Sequence, residues 1–183
     1  MKKNILSISL FFILAFSVIV NAADIELKAI GGKVSIVLPE DPMDSTIGLG
    51  LLADIGTIIP QLRAEANLDY WGNSYDTLGV ESSWTSIAIG GTARYYLSMD
   101  SKISPFAGGG MSFIISRAKT EFPENIFGVN EDTSDTDTDL GFHIVGGVDI
   151  PITDDMNGRA EGKYAIDGAD SFQIGVGIIF KLK

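Results

Sequence analysis

Past Ala22 the chain has no apolar run long enough to cross a bilayer as a helix, yet it carries eight stretches in which apolar and polar residues alternate. They span approximately 25–38, 46–57, 62–71, 84–97, 103–116, 139–150, 158–167 and 171–182. A period of two belongs to β-strands with two unlike faces. Each stretch reaches the roughly 9–11 residues that a tilted strand needs to cross a bilayer. If such a chain spans a membrane, only a closed barrel satisfies every backbone polar group.

The pattern is clearest in the last stretch. Phe172, Ile174, Val176, Ile178, Phe180 and Leu182 share one face, and Gln173, Gly175, Gly177, Ile179 and Lys181 the other. In the third, Leu62, Ala64, Ala66, Leu68 and Tyr70 oppose Arg63, Glu65, Asn67 and Asp69. The sixth and seventh set Phe142, Ile144, Val148 and Ile150 against His143, Val145 and Asp149, and Ala160, Tyr164 and Ile166 against Arg159, Glu161 and Lys163. The first stretch changes parity. Ile25, Leu27 and Ala29 give way to Val34, Ile36 and Leu38 on either side of Gly31-Gly32, which predicts a β-bulge at the glycine pair.

The links alternate in length. Those at 58–61, 98–102 and 151–157 are short, whereas 72–83 and 117–138 are long, 39–45 is intermediate and 168–170 is short. With an even number of strands, both ends and the first three of these links fall on one side. That is the asymmetry of short periplasmic turns and longer extracellular loops.

The N-terminus reads as an export signal over residues 1–22. Lys2 and Lys3 precede an apolar run from Ile5 to Val20, and Val20-Asn21-Ala22 supplies small residues for cleavage. Removing Lys2 and Lys3 takes the formal charge from −11 to −13. So acidic a chain, without a basic patch, is a poor partner for nucleic acid. The absence of Cys excludes disulfides and thiolate metal sites.

Alternation alone does not say which face is inside. Three features favour lipid on the apolar side. Aromatic residues gather near strand ends: Tyr70, Trp71 and Trp84 at one, Tyr95, Tyr96, Phe106 and Phe180 at the other, as in interfacial girdles. Glycine recurs on the polar face, at Gly48, Gly50, Gly56, Gly90, Gly108, Gly110, Gly175 and Gly177, where it leaves space in a narrow interior. The charges there have mixed sign, so that Arg63, Arg94, Arg159 and Lys163 can pair with Asp54, Glu65, Asp149 and Glu161.

The final strand, Gln173-x-Gly175-x-x-Ile178-x-Phe180, resembles the signal read by the outer-membrane barrel assembly machinery. Family members usually end on an aromatic residue, whereas this chain runs on through Lys181-Leu182-Lys183. Leu62–Tyr70 and Ser104–Met111 are similar to strands of the small eight-stranded outer-membrane β-barrel superfamily, the group of the OmpA transmembrane domain, OmpX and OmpW. Residues 23–183 as a whole resemble that group. The resemblance implies an all-β, eight-stranded antiparallel up-and-down transmembrane β-barrel in the bacterial outer membrane. Its partners would be outer-membrane lipid, the assembly machinery through the C-terminal strand, and an extracellular ligand that the sequence does not identify.

No catalytic, cofactor-binding or metal constellation emerges. His143 is the single His and faces inward by parity, and one His cannot build a His-based metal site. Some barrels of this size are lipid-modifying enzymes with a His, a Ser and an acid, but no matching serine-centred motif is present. Asp135-Thr-Asp137-Thr-Asp139 opens like a calcium loop, then fails it. Leu140 stands where the turn glycine belongs and Gly146 where the bidentate Glu belongs, leaving a solvated acidic loop with at most weak divalent-cation binding. Gly108-Gly109-Gly110 lacks the Lys-Ser/Thr of a phosphate cradle. The expected function is therefore non-enzymatic: envelope structure or surface interaction, with a narrow pore for small or apolar solutes as the alternative and a lipid-modifying enzyme behind both. Surface contact is expected in the 117–138 link, where Phe122, Ile126, Phe127 and Val129 lie among acidic residues.

Overall fold

A computed structural model describes residues 24–40, 43–77, 80–99, 102–121, 133–166 and 170–183. The proposed signal, residues 1–22, lies outside them, as do Phe122, Ile126, Phe127 and Val129.

Eight strands follow in chain order: β1 (Asp24–Pro39), β2 (Thr46–Ile59), β3 (Leu62–Thr77), β4 (Val80–Tyr96), β5 (Ser104–Glu121), β6 (Thr133–Thr153), β7 (Met156–Ile166) and β8 (Ser171–Lys181). Each pairs antiparallel with its neighbour in sequence, and β1 pairs with β8 from Ala29↔Lys181 to Pro39↔Ser171, which closes the ring. Closure removes both sheet edges.

The barrel is inverted relative to a soluble protein. Ile47, Phe113, Ile144 and Val176 are each more than 60% exposed on the outside, while Lys33, Glu65, Arg94, Arg159 and Lys163 are each under 10% exposed within. So much outward apolar surface is unfavourable in water and favourable against lipid. The outward belt runs from Leu62 to Tyr70 on β3, from Ile87 to Tyr95 on β4, and from Pro105 to Ile115 on β5.

The structure corrects the sequence reading in three places. The parity change in β1 lies earlier than the glycine pair: pairing with β2 slips between Ile25 and Ala29, and Gly31 and Gly32 then pair in register with Leu52 and Leu51. A second irregularity is in β2, where Ile55 has no partner opposite β3 and Gly56 adopts a φ of 118°, a conformation that favours glycine.

Second, strand extends into both long links. β3 and β4 stay paired out to Thr77↔Val80, and β5 and β6 out to Thr120↔Thr133. With β4 paired to β5 as far as Glu81↔Glu121, a four-stranded wall rises beyond the belt on one side of the mouth. The opposite rim is lower, since β1 ends at Pro39 and β7 at Ile166. Polar sequence misled here because a strand wetted on both faces has no apolar alternation to detect.

Third, the aromatic residues do not all form girdles. Tyr70, Tyr95 and Phe180 face outward, but Trp71 and Phe106 are buried inside and the Tyr96 hydroxyl bonds an interior carboxylate.

Candidate functional site

The interior is filled by one continuous charge network. Lys163 contacts Asp69 at 2.7 Å, and Lys33 bridges Asp69 at 3.0 Å and Glu161 at 2.8 Å. Arg94 joins Glu161 at 3.0 Å to Glu65 at 2.6 Å. Arg159 then joins Glu65 at 2.6 Å to Asp149 at 2.7 Å. The Tyr96 hydroxyl ends the chain, donating to Asp149 Oδ2 at 2.9 Å and accepting from Arg159 Nη2 at 3.1 Å. Four cations and four anions, drawn from β1, β3, β4, β6 and β7, thus compensate one another. A desolvated charge requires such pairing.

Phe106 lies between the two guanidinium groups, with Cζ of Arg94 4.6 Å and Cζ of Arg159 5.0 Å from its ring centre. The ring face attracts both cations where water is excluded. Glycine makes room for the ion pairs: a Cβ on Gly50 would stand 2.5 Å from Lys33 Cε and 2.6 Å from Asp69 Oδ1.

Several expected pairs form, namely Arg94 and Arg159 with Glu65, Arg94 with Glu161, Arg159 with Asp149, and Arg63 with Asp54 at 2.7 Å. Lys163 takes Asp69 instead of one of the four carboxylates named from sequence. Lys33 and Asp69 were missed as network members. Their inward parity was legible, but only the register of β1, β2 and β3 sets Lys33 and Asp69 on either side of Gly50, whose missing side chain lets them meet. Phe106 and Tyr96 were missed because a ring near a strand end reads as interfacial.

His143 faces inward as expected and is buried, with Nε2 2.8 Å from Thr92 Oγ1. Above it a cavity of about 10 Å³, enough for about one water, is lined by Asp69, Trp71, Ser112 and Lys163 among others. The Ser112 hydroxyl has no protein partner. Asp135, Asp137 and Asp139 lie on β6 as alternate residues of an extended strand, not in a loop. Successive members are roughly 6.6 Å apart along the strand and do not converge on a cation. Among the described residues, no group of three or more His, Asp or Glu is arranged to hold a metal.

Among solved structures the chain is similar to Neisserial surface protein A, at 18% identity and TM-score 0.63, over 84% of this chain and 96% of that one. It is also similar to a major outer membrane protein of Thermus thermophilus, at 8% identity and TM-score 0.61, over 86% of this chain and 100% of that one. The attachment invasion locus protein Ail of Yersinia pestis matches at 13% identity and TM-score 0.56, over 85% of this chain and 97% of that one. These likenesses concern the fold. No curated protein matches by sequence. The model of the outer membrane protein beta-barrel domain matches residues 9–180, nearly the whole chain. With the closed ring, the apolar exterior and the charged interior, that match places the protein in the bacterial outer membrane, as a member of the outer membrane protein beta-barrel domain family.

Proposed function

We propose that the protein is a non-conducting, non-enzymatic barrel with a structural or surface-contact role in the outer membrane, exported by the signal in residues 1–22. The observation that carries this reading is the ion-pair network from Lys163 to Tyr96. A solute crossing the lumen must separate buried ion pairs, and breaking such a pair by removing one partner costs about 3–5 kcal/mol. An enzyme acting on membrane lipid needs its reactive groups on the outer surface or rim. His143 is instead inside, against Thr92. The wall of β3–β6 supplies surface for contact outside the membrane.

Planar-bilayer recording tests the reading. The refolded protein should insert without stable unitary currents. Reproducible stepwise conductance would favour the narrow pore for small or apolar solutes. Deletion of the gene should leave the lipid A mass spectrum unchanged, and loss of a modified species would restore the enzyme reading.

A further inference from the structure

The inner face of the wall has no strand opposite it, because β7 leaves β6 at the pair Phe142↔Ile166 and β1 ends at Pro39. Across this face one row runs in register through all four strands: Asn73, Trp84, Ala118 and Asp135. Parity fixes its direction, since Trp84 alternates with Ser86 and Ala118 with Ile114, and both of those are buried inside the barrel.

Trp84 on β4 and Asp135 on β6 stand two strand spacings apart, roughly 10 Å. Between them β5 sets only small side chains, Ser116 and Ala118. The face is thus a gap one strand wide, with an indole on one bank and carboxylates on the other. Asp135, Asp137 and Asp139 succeed one another along the second bank, and all three are exposed. Among the described residues the inner face of the wall carries no Lys or Arg, because Arg117 and Lys119 have the opposite parity. The repeat of roughly 6.6 Å keeps these carboxylates from converging on one ion. It equals the repeat of alternate side chains in any extended chain, so three successive groups on such a chain can each meet one carboxylate.

We propose that this gap binds an extended cationic peptide segment of a partner protein, with Lys or Arg at alternate positions set against Asp135, Asp137 and Asp139, and the intervening side chains against Trp84. The inference rests on the surface-contact reading above and names the chemistry of the partner. Three charges of one sign, with no cation beside them, select a partner of the opposite sign. Guanidinium–carboxylate pairs are charge-assisted and bidentate, which favours Arg. A neutral glycan would cover Trp84 but leave the three charges unmatched, and a sulfated one would be repelled.

The test titrates the full-length mature protein, in nanodiscs of phosphatidylcholine, into a fluorescent peptide in which three Arg alternate with Thr. Anisotropy should report binding that weakens as salt is added. D135N/D137N/D139N should weaken it about tenfold, the equivalent of about 1.4 kcal/mol shared among three exposed pairs. W84A should weaken it too, whereas E81Q, on the outer face of the same wall, should match wild type. A peptide of the same composition with its three Arg consecutive should bind several-fold more weakly. Heat-modifiability on a gel identifies folded samples, and only those are compared. Equal binding by wild type and the triple Asn variant overturns the proposal. So does equal binding of the two peptides, which would reduce it to undirected charge attraction, and so does unchanged binding by W84A, which would take the chain out of the gap. Capture of a neutral oligosaccharide, with neither peptide bound, would make this a glycan site and overturn its assignment to a peptide. If folded wild-type protein binds neither peptide yet stays non-conducting in planar bilayers, this inference falls and the wider reading stands.

Discussion

Arg63 and Glu65 are two residues apart on the inner face of β3, yet their removal should have very different consequences. Glu65 is buried and holds both Arg94 and Arg159. Glu65→Ala leaves two interior guanidinium groups undercompensated, and we expect a loss of about 3–5 kcal/mol. The Arg63 side chain is 38% exposed, and its partner Asp54 also accepts from the Gly56 amide. Asp54 is buried but keeps the Gly56 amide, so Arg63→Ala should cost clearly less than Glu65→Ala. Urea unfolding in lipid vesicles, followed by tryptophan fluorescence, measures both, and equal losses would contradict the burial argument. Gly50→Leu belongs to the same scale. Its side chain enters the space of Lys33 and Asp69, so the variant should lose stability or fail to refold.

At the scale of the strand, the two faces obey opposite rules. Ile178 and Leu68 face outward within the belt. Arginine at either position places a charge in lipid, costing on the order of 2–4 kcal/mol near the midplane. Lys181→Ala, at the short-turn end, should be nearly neutral, and comparable losses would mean that the faces are inverted. The wall should behave as a separable element. Its strands rise above the belt, and its inner-face residues Asp135 and Asp137 are exposed. Deleting residues 119–134 and joining β5 to β6 by a short turn should leave the barrel assembled and heat-modifiable, and should abolish contact with any surface partner. Failure of this variant to assemble would show that the wall is needed for folding.

For the whole molecule, an even number of strands ties every link to one side of the membrane. The chain has no Cys, so a single introduced thiol reports position without background. Ser134→Cys, in the wall, should react on intact cells with a polyethylene-glycol maleimide too large for passive entry, as expected for the end bearing long hairpins. Ser98→Cys, in the turn after β4, should react only after the outer membrane is permeabilised. The reverse pattern would overturn the orientation.

Strand number, antiparallel order and the identity of the two faces were legible in the residues themselves, because a period of two must sort onto two faces wherever a sheet forms, and Phe172–Phe180 and Leu62–Tyr70 keep that period without interruption. The inward parity of His143, and of the charges that make the plug, followed from the same rule. Three matters were decided only by the tertiary structure. Which carboxylate each cation meets depends on closure and register: Lys163 reaches Asp69 across the lumen. Phe106 shares the inward parity of Gly108 and Gly110, but that its ring sits between Arg94 and Arg159 depends on which strands face one another across the lumen. Where β3–β6 stop depends on backbone pairing with neighbours, which continues through polar segments such as Thr133–Thr138 after the hydrophobic pattern that reveals a strand has ended.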